Sequence, residues 1–299
     1  REAAGKEGKE AGEKAGGRNR RPYQGFFRAR PEKRGFKMVM DDLYGQRCSH
    51  CHGHPIFTNQ AAAVAFEFTE DLMTRILRDI FYKTFNVEEE IDEDLFLATI
   101  RTFNRATDEG FGIRDSRDPE HDFYEQIRGN NEVFSAFRTH RMQNDIASQL
   151  LDEKGKLKPF YRFQEDVQGI IGTYNTAWLD TEYDTAIIRA HQAADWRVFE
   201  RDEDILPNLR WMPTTSADPD PLHAQFWGIE LTLPKGHRFW KSHRPGDRWN
   251  CKCSLEQTDE PATSEYGIPL SDYKPSAGLD NNPGRDAKIF SDTHPYIAN

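Results

Sequence analysis

Histidine, cysteine and tryptophan residues concentrate in residues 237–257, which read HRFWKSHRPGDRWNCKCSLEQ. Cys251 and Cys253 are two residues apart, so in extended backbone both thiols point to the same side of the chain. His223, His237 and His243 lie close enough in sequence to face them. The stretch therefore permits a cluster of sulfur and imidazole groups, held by a turn at Pro245.

Three interpretations of this cluster compete. Free cysteines are often buried simply as small hydrophobic residues, and we rank this interpretation first. A zinc site comes second, with His223, His243, Cys251 and Cys253 as the candidate ligands, although zinc sites usually space their cysteines by two to four residues. A catalytic Cys–His pair comes third, because no oxyanion site is visible beside it. We therefore assign no catalytic residue and no cofactor, with zinc as the candidate metal.

A second group of cysteines and histidines lies in the run CSHCHGH. Cys48, Cys51 and His52 match the C-x-x-C-H pattern of covalent haem attachment. That chemistry requires export, and we find no apolar signal segment at the start of the chain. The alternative is half of a zinc site, whose other half is missing nearby. The role of this segment stays open.

Charge is distributed unevenly along the 299 residues. Residues 1–37 hold twelve Lys and Arg against five Asp and Glu, a net charge of +7, whereas the whole chain carries −10. The acidic remainder is a poor surface for duplex DNA. The basic tail has few apolar residues, so we expect it to be disordered and at most to contact DNA non-specifically. A natural start near Met38 or Met40 fits the same pattern.

Several protein classes are disfavoured by missing features. No apolar run of 18 residues is present, so no membrane span is expected. The phosphate-binding loop, the G-x-S-x-G nucleophile turn and the H-E-x-x-H zinc pair are absent, and there is no internal repeat. Four cysteines without an export signal suggest thiols or metal ligands instead of disulfides.

Hydrophobic periodicity predicts helices over most of the first two thirds of the chain. The predicted helices run from Gln60 to about Lys83, from Asp92 to Gly110, over 119–128, over 131–151 with Val133, Phe137, Met142, Ile146 and Leu150 inward, and over 175–200 after a segment at 160–172. We expect the last to be the longest, with its apolar face at Leu179, Tyr183, Ile187, Ala190, Ala194 and Val198. The charged Glu182, His191 and Asp195 on this helix are interpreted as solvated.

The pattern changes after Pro207. Short strands are predicted at 209–212 and 229–233, with a short helix at 221–226 and an irregular C-terminal arm. The predicted class is α+β, predominantly α: a helical region joined by a long helix to a small α+β module that contains the Cys, His and Trp residues. We divide the chain into 1–55, a basic tail and Cys/His-rich segment, then 56–205, helical, and 206–299, the small module. Phe290 and Tyr296 of the arm are expected to contact a neighbouring molecule.

A set of motifs occurs here in a fixed order. They are Thr181-Glu-Tyr-Asp-Thr-Ala186, then Asp218 and His223, then Phe239-Trp240 and His243, then Pro245 followed by Trp249, Cys251 and Cys253. This order resembles the C-terminal signature of phage Mu F-like minor head proteins, the head morphogenesis family of tailed phages. The resemblance covers roughly residues 56–299. The chain differs in having Asp184 for the usual Asn, Pro221 near an expected Arg, and Gly-Asp-Arg at 246–248.

The resemblance implies a structural virion protein, made in the cytoplasm of a bacterial host and placed near the portal vertex of the phage or prophage head. Its implied partners are the portal protein, the major capsid protein, or both. The protein would accompany DNA during assembly or ejection, with the basic tail making non-specific contacts to it. No catalysis is required. The alternatives are a Cys/His-dependent enzyme or toxin-like effector, and a zinc-stabilised binding module unrelated to phages.

Overall fold

The computed structural model of the chain describes residues 36–45, 66–216, 219–263 and 273–298. Its α-helices are α1 Phe36–Gly45, α2 Glu70–Phe81, α3 Glu93–Gly110, α4 His121–Ala147, α5 Phe160–Asn175, α6 Ala177–Arg201, α7 Pro221–Trp227, α8 Pro283–Asp286 and α9 Pro295–Ala298. Its strands are β1 Asn208–Met212, β2 Thr232–Pro234 and β3 Ser254–Thr258, and a short 3₁₀ helix covers Arg238–Lys241. The predicted class, α+β with helix predominant, is confirmed.

The N-terminal ends of α2 and α3 are fixed by side-chain caps. Thr69 accepts a hydrogen bond from the backbone N–H of Leu72, and Asp92 accepts one from that of Leu95. The Asp92 carboxylate also accepts hydrogen bonds from both terminal nitrogens of Arg75, each at 2.8 Å. These bonds connect the two helices. The predicted start at Asp92 is thus correct within one residue. In contrast, the first predicted helix begins at Glu70, ten residues later than the pattern suggested.

Helix α4 is continuous, which corrects the prediction of two separate helices at 119–128 and 131–151. Val133, predicted to face inward, is 51% exposed. The buried face of α4 instead includes polar residues: the Asn131 amide donates to the Thr107 hydroxyl at 2.9 Å, and Arg138 is fully buried. Polar groups on an inward face weaken the apolar pattern, and this explains why the sequence suggested a break and a rotated face.

Helices α5 and α6 follow one another directly, separated by Thr176, whose φ of −128° and ψ of −90° are not helical. The predicted helix at 175–200 is confirmed, but α4, with 27 residues against 25, is longer. The buried face of α6 also differs from the prediction. Trp196 is buried and Val198 is 40% exposed. The bulky Trp196 takes the core position that the regular spacing gave to the smaller valine.

Helices α3 and α6 pack at very short range where α3 ends. A Cβ on Gly110 would lie 2.3 Å from the carbonyl oxygen of Ile187 and 2.7 Å from the Cβ of Ala190. Real atoms do not approach this closely, so only glycine permits the two backbones to meet here. This contact fixes α6, the helix that joins the helical part to the sheet.

The three strands form one antiparallel sheet in the order β2-β1-β3. Leu209 of the central strand pairs with Leu233 on one side and Gln257 on the other. The predicted strand at 209–212 and helix at 221–226 are confirmed within one residue, whereas the second strand starts three residues later than predicted. Strand β3 was not predicted, because its residues SLEQT are mostly polar.

Among the residues that the structure describes, buried apolar side chains form two clusters, and α6 contributes to both. The larger lies among α1 to α6 and takes in Trp249 and the residues 279–296. The smaller lies between the sheet, α7 and the 3₁₀ helix, with Trp196 of α6 at its edge. Phe290 and Tyr296 are buried in the larger cluster, which corrects the expectation that they contact a neighbour. The C-terminal arm therefore completes the helical core.

The end of the basic tail, which was expected to be disordered, begins a helix. Helix α1 buries Phe36, Met40, Leu43 and Tyr44 in the larger cluster, a contact that the sequence did not suggest. Cys48, Cys51, His52, Asp218 and residues 1–35 lie outside the described residues, so the expectations about them stand as predictions. None of the described helices has the length and apolar character needed to cross a membrane.

Candidate metal centre

His223 lies on α7, a helix of seven residues whose start is strongly specified. Asp220 caps it by accepting a hydrogen bond from the backbone N–H of Leu222 at 2.8 Å, and Pro221 occupies the first turn, where a missing N–H costs nothing. This start turns His223 and Phe226 towards the smaller hydrophobic cluster, and both are buried. The imidazole is therefore held inside the protein.

The two cysteines reach the same imidazole from the segment that precedes β3. Asn250, with a φ of 59°, turns the chain, and Cys251 and Cys253 follow it, both buried and both free thiols. The Nδ1 atom of His223 lies 3.2 Å from the Cys251 sulfur and 3.7 Å from the Cys253 sulfur. The three ligand atoms all lie within 4.8 Å of one another. The prediction that both thiols point to the same side is confirmed, and of the three histidines considered it is His223 that they meet.

The other side of the His223 ring is held by two polar groups. Its Nε2 atom lies 2.8 Å from the carboxylate of Asp247 and 2.6 Å from the hydroxyl of Tyr273. The Tyr273 hydroxyl donates to the same carboxylate oxygen at 2.5 Å. Since a carboxylate can only accept, Nε2 carries the proton, and Nδ1 is the nitrogen that faces the thiols. Metal-binding histidines are oriented in this way by a carboxylate on their far nitrogen.

Ionisation in the cluster is governed by burial and by mutual contact. Burial raises the pKa of the Cys251 thiol well above its usual range. The hydrogen bond with Cys251 lowers the pKa of Cys253, against the effect of burial. Burial alone would lower the pKa of His223, but the Cys251 sulfur and the Asp247 carboxylate outweigh it and raise that pKa well above the usual value. The Cys251 thiol and the His223 imidazole therefore both favour their protonated forms.

His243, the fourth residue of the predicted ligand set, is not brought into the cluster. Its ring packs against Phe239 and Tyr273, with ring centroids 5.2 Å apart in each case. Its Nδ1 atom lies 4.0 Å from the second carboxylate oxygen of Asp247, too far for a hydrogen bond. The structure thus brings together three of the four predicted ligands.

These three residues fit a zinc ion. Tetrahedral zinc bonds to nitrogen at ~2.0–2.1 Å and to sulfur at ~2.3 Å, which places those ligand atoms roughly 3.5–3.8 Å apart. The observed Nδ1 to sulfur distances of 3.2 and 3.7 Å need only a small expansion at Cys251. The described residues supply three ligands, and a tetrahedral ion would take its fourth from elsewhere.

Glu182 is fully buried, which corrects its interpretation as a solvated helix charge. The Nε–H of Arg138 donates to one carboxylate oxygen at 2.7 Å, and the hydroxyls of Tyr44 and Tyr296 each donate to the other at 2.7 Å. A buried charge is tolerated only when it is paired and hydrogen-bonded in this way. The network joins α1, α4, α6 and α9, so its role is structural. His191 and Asp195 form an exposed pair at 3.2 Å, as the sequence suggested.

Arg189 is a second buried charge that the sequence did not indicate. Its guanidinium donates to the backbone carbonyls of Ile289 at 2.5 Å, Gly246 at 2.6 Å and Leu279 at 3.3 Å. These contacts fix the C-terminal arm and the turn before Cys251 against α6. Asp247 and Tyr273 were also missed. Asp247 stands in the motif region and offered a signal, whereas Tyr273 lies 50 residues from His223 and offered none.

In comparisons with known proteins, no protein-family model matches the chain, and no curated protein or solved structure matches it.

Proposed function

We propose that this protein is a structural minor head protein of a tailed phage or prophage. It would bind the portal or major capsid protein near the portal vertex. A zinc ion at His223, Cys251 and Cys253 would stabilise its C-terminal module. The observation that supports a structural role is that the motif residues hold segments of the fold together. Asn250, just before the cysteines, donates its backbone N–H to the Thr185 hydroxyl of α6 at 3.3 Å.

Other motif residues make similar buried contacts. Trp249 packs edge-on against Tyr44, with ring centroids 4.7 Å apart, and stacks on Phe290 at 5.6 Å. Trp240 is fully buried and donates its indole N–H to the carbonyl of Pro234 at 3.1 Å. Residues used in this way maintain a rigid shape, as a protein that binds by its surface requires. The basic tail at residues 1–37 would contribute non-specific contacts to DNA.

The enzyme alternative has less support. A catalytic cysteine needs a lowered pKa and access to substrate. The Cys251 thiol is buried and its pKa is raised, while Cys253 has the lowered pKa and borders a cavity. Rapid alkylation of Cys253 by iodoacetamide in the folded protein, with loss of a measurable hydrolase activity, would favour the enzyme over the head protein.

Co-expression with the portal and major capsid proteins of the same phage tests the partner. We expect the full chain to co-purify with one of them through size-exclusion chromatography and to be detected by mass spectrometry in purified virions. A variant that lacks residues 1–35 should retain this binding but lose affinity for duplex DNA at low salt, because the basic residues are concentrated there. Absence of the chain from virions would refute the proposal.

Metal analysis tests the zinc ion separately. Purified protein should hold about one equivalent of zinc, with metal–sulfur distances near ~2.3 Å by X-ray absorption. His223→Gln should abolish binding, whereas His243→Gln, a histidine outside the cluster, should retain it. Affinity should fall as the pH is lowered, because the metal displaces protons from the thiols and Nδ1. Equal metal loss in both variants would show that His243 joins the ligands after a rearrangement, and a metal-free wild type would leave buried thiols as the explanation.

A further inference from the structure

A cavity of about 520 Å³ lies between α6, the end of α3, the turn at Arg244 and the start of β3. This volume is within the range of small-molecule sites, roughly 300–1,000 Å³. Part of its wall is apolar, formed by Ile187, Trp196, Phe199 and Leu255. The metal cluster borders it only through Cys253. The cavity is therefore large enough, and sufficiently apolar on one side, to hold an organic molecule.

Arg244 lines this cavity, and its guanidinium lacks hydrogen-bond partners among the described residues. The residue is 2% exposed, and none of its three guanidinium nitrogens has a hydrogen-bond partner among the described residues. The Asp247 carboxylate of the same turn is already engaged. It accepts a hydrogen bond from the Arg244 backbone N–H at 3.2 Å and holds His223 and Tyr273 with its other oxygen. A buried guanidinium left unpaired is strongly unfavourable. An anion in the cavity would supply the missing acceptors.

Gln192 of α6 places a second unsatisfied group at the same cavity. Both its amide oxygen and its amide nitrogen are buried without a hydrogen-bond partner in the described residues. The amide lies directly over Gly246, where an added Cβ would be 2.2 Å from the amide oxygen. Gly246 has a φ of 82°, which also favours glycine. The turn is therefore shaped to leave room for this amide beside the cavity.

The acidic residues that border the cavity already have partners. Glu109 accepts a hydrogen bond from the Tyr183 hydroxyl at 2.7 Å and pairs with Arg105 at 3.1 Å. Asp195 pairs with His191 at 3.2 Å. These contacts engage the acidic groups near the rim, whereas the Arg244 guanidinium lacks hydrogen-bond acceptors among the described residues. Lys252 adds a second positive group to the lining. The cavity therefore favours an anion over a cation.

We propose that this cavity binds a small organic carboxylate carried on an apolar or aromatic group. The Arg244 guanidinium donates hydrogen bonds to the carboxylate, and the Gln192 amide donates a further one. The apolar wall contacts the carbon skeleton. The planar fork of arginine matches a carboxylate, and this arrangement supplies acceptors to the Arg244 guanidinium and the Gln192 amide nitrogen together. The site is distinct from the zinc ligands and goes beyond the proposed structural role.

Calorimetric titration of the full-length protein with benzoate tests this site. Benzoate should bind, whereas benzamide, a neutral molecule of the same shape, should not. Arg244→Met should weaken benzoate binding at least tenfold and should raise the melting temperature of the ligand-free protein, because it removes a buried unpaired charge. Arg238→Met, which removes an exposed arginine of the 3₁₀ helix, should alter neither property.

Two further variants test the site independently of Arg244. If Arg244→Met does not fold, Gln192→Leu and Gly246→Ala should each weaken benzoate binding, the second by displacing the amide. Undiminished binding in the Arg244 or Gln192 variants would overturn the proposal. So would binding of inorganic phosphate in place of benzoate, or no binding of either, which would leave ordered water as the partner of Arg244.

Discussion

His294 illustrates how burial controls the charge of a single residue. The imidazole is fully buried, its Nδ1 accepts the backbone N–H of Tyr296 at 3.2 Å, and its Nε2 lies 3.1 Å from the Tyr44 hydroxyl. That hydroxyl donates to Glu182, so Nε2 must carry the proton and donate to it. Burial, with a smaller contribution from Arg138, lowers the pKa of His294 to about 3. The native protein therefore keeps this ring neutral.

This low pKa makes stability depend on pH. In the unfolded chain His294 binds a proton below about pH 6.5, whereas the native ring does so only below about 3. Between these values the unfolded state binds more protons, so the free energy of unfolding falls as the pH falls, by at most about 1.4 kcal/mol per pH unit from this residue. Urea unfolding of wild type and His294→Gln between pH 7 and 4 should show a shallower slope in the variant.

The exposed His191→Gln serves as a control for that comparison, since its ring is 67% exposed and should leave the excess slope in place. A His294→Gln curve parallel to the wild-type curve would mean that His294 is protonated in the native protein, contrary to its buried contacts.

At the scale of elements, the contact between α3 and α6 depends on one missing side chain. Gly110 allows the α3 backbone to approach the Ile187 carbonyl, and a methyl group there would meet backbone atoms that cannot move without shifting a helix. Glycine elsewhere in a helix has the opposite effect. Gly129 lies within α4 with open space around its Cβ position, so it contributes only conformational entropy to the unfolded state.

These two glycines give a matched prediction. Gly110→Ala should destabilise the protein by about 1–3 kcal/mol, the usual cost of forcing extra atoms into a packed contact. Gly129→Ala should stabilise it by roughly 0.5–1 kcal/mol, because alanine has the higher helix propensity. Both are measured by chemical denaturation. Stabilisation by Gly110→Ala would mean that α3 and α6 are further apart than described.

At the scale of the whole molecule, the segment around Trp249 joins the two hydrophobic clusters. Trp249 belongs to the helical cluster, while Cys251 and Cys253 belong to the cluster beside the sheet. Trp240 lies in the second cluster, stacked on Trp211 with ring centroids 6.3 Å apart. The chain thus moves from one core to the other within two residues, and the helices and the sheet are not independently packed bodies.

Removal of either tryptophan should therefore affect the whole chain. Trp240→Ala and Trp249→Ala should each cost on the order of 3–5 kcal/mol, because each leaves a large void in a core. Tyr161→Ala, which truncates a ring that is 62% exposed, should change stability by less than about 0.5 kcal/mol. Calorimetry should show a single transition in the wild type. Wild-type stability in both tryptophan variants would place these rings at a partner interface instead.

Features that depend on local patterns could be predicted from the sequence. Apolar spacing indicated the class and most of the helices, because one helix face is set by residues close in sequence. The two-residue spacing of Cys251 and Cys253 also indicated that both thiols point to the same side of the chain. Those features follow from backbone geometry alone.

The long-range polar contacts could not be predicted, because they depend on how distant segments pack together. Tyr44 meets His294 across 250 residues, and Tyr273 meets His223 across 50, although neither pair has a local signature. Glu182 looked like a solvated charge because nothing near it in sequence reveals Arg138 as its partner. A charge can be buried when its compensating groups arrive from distant elements, and that condition is set by the packing of the entire chain.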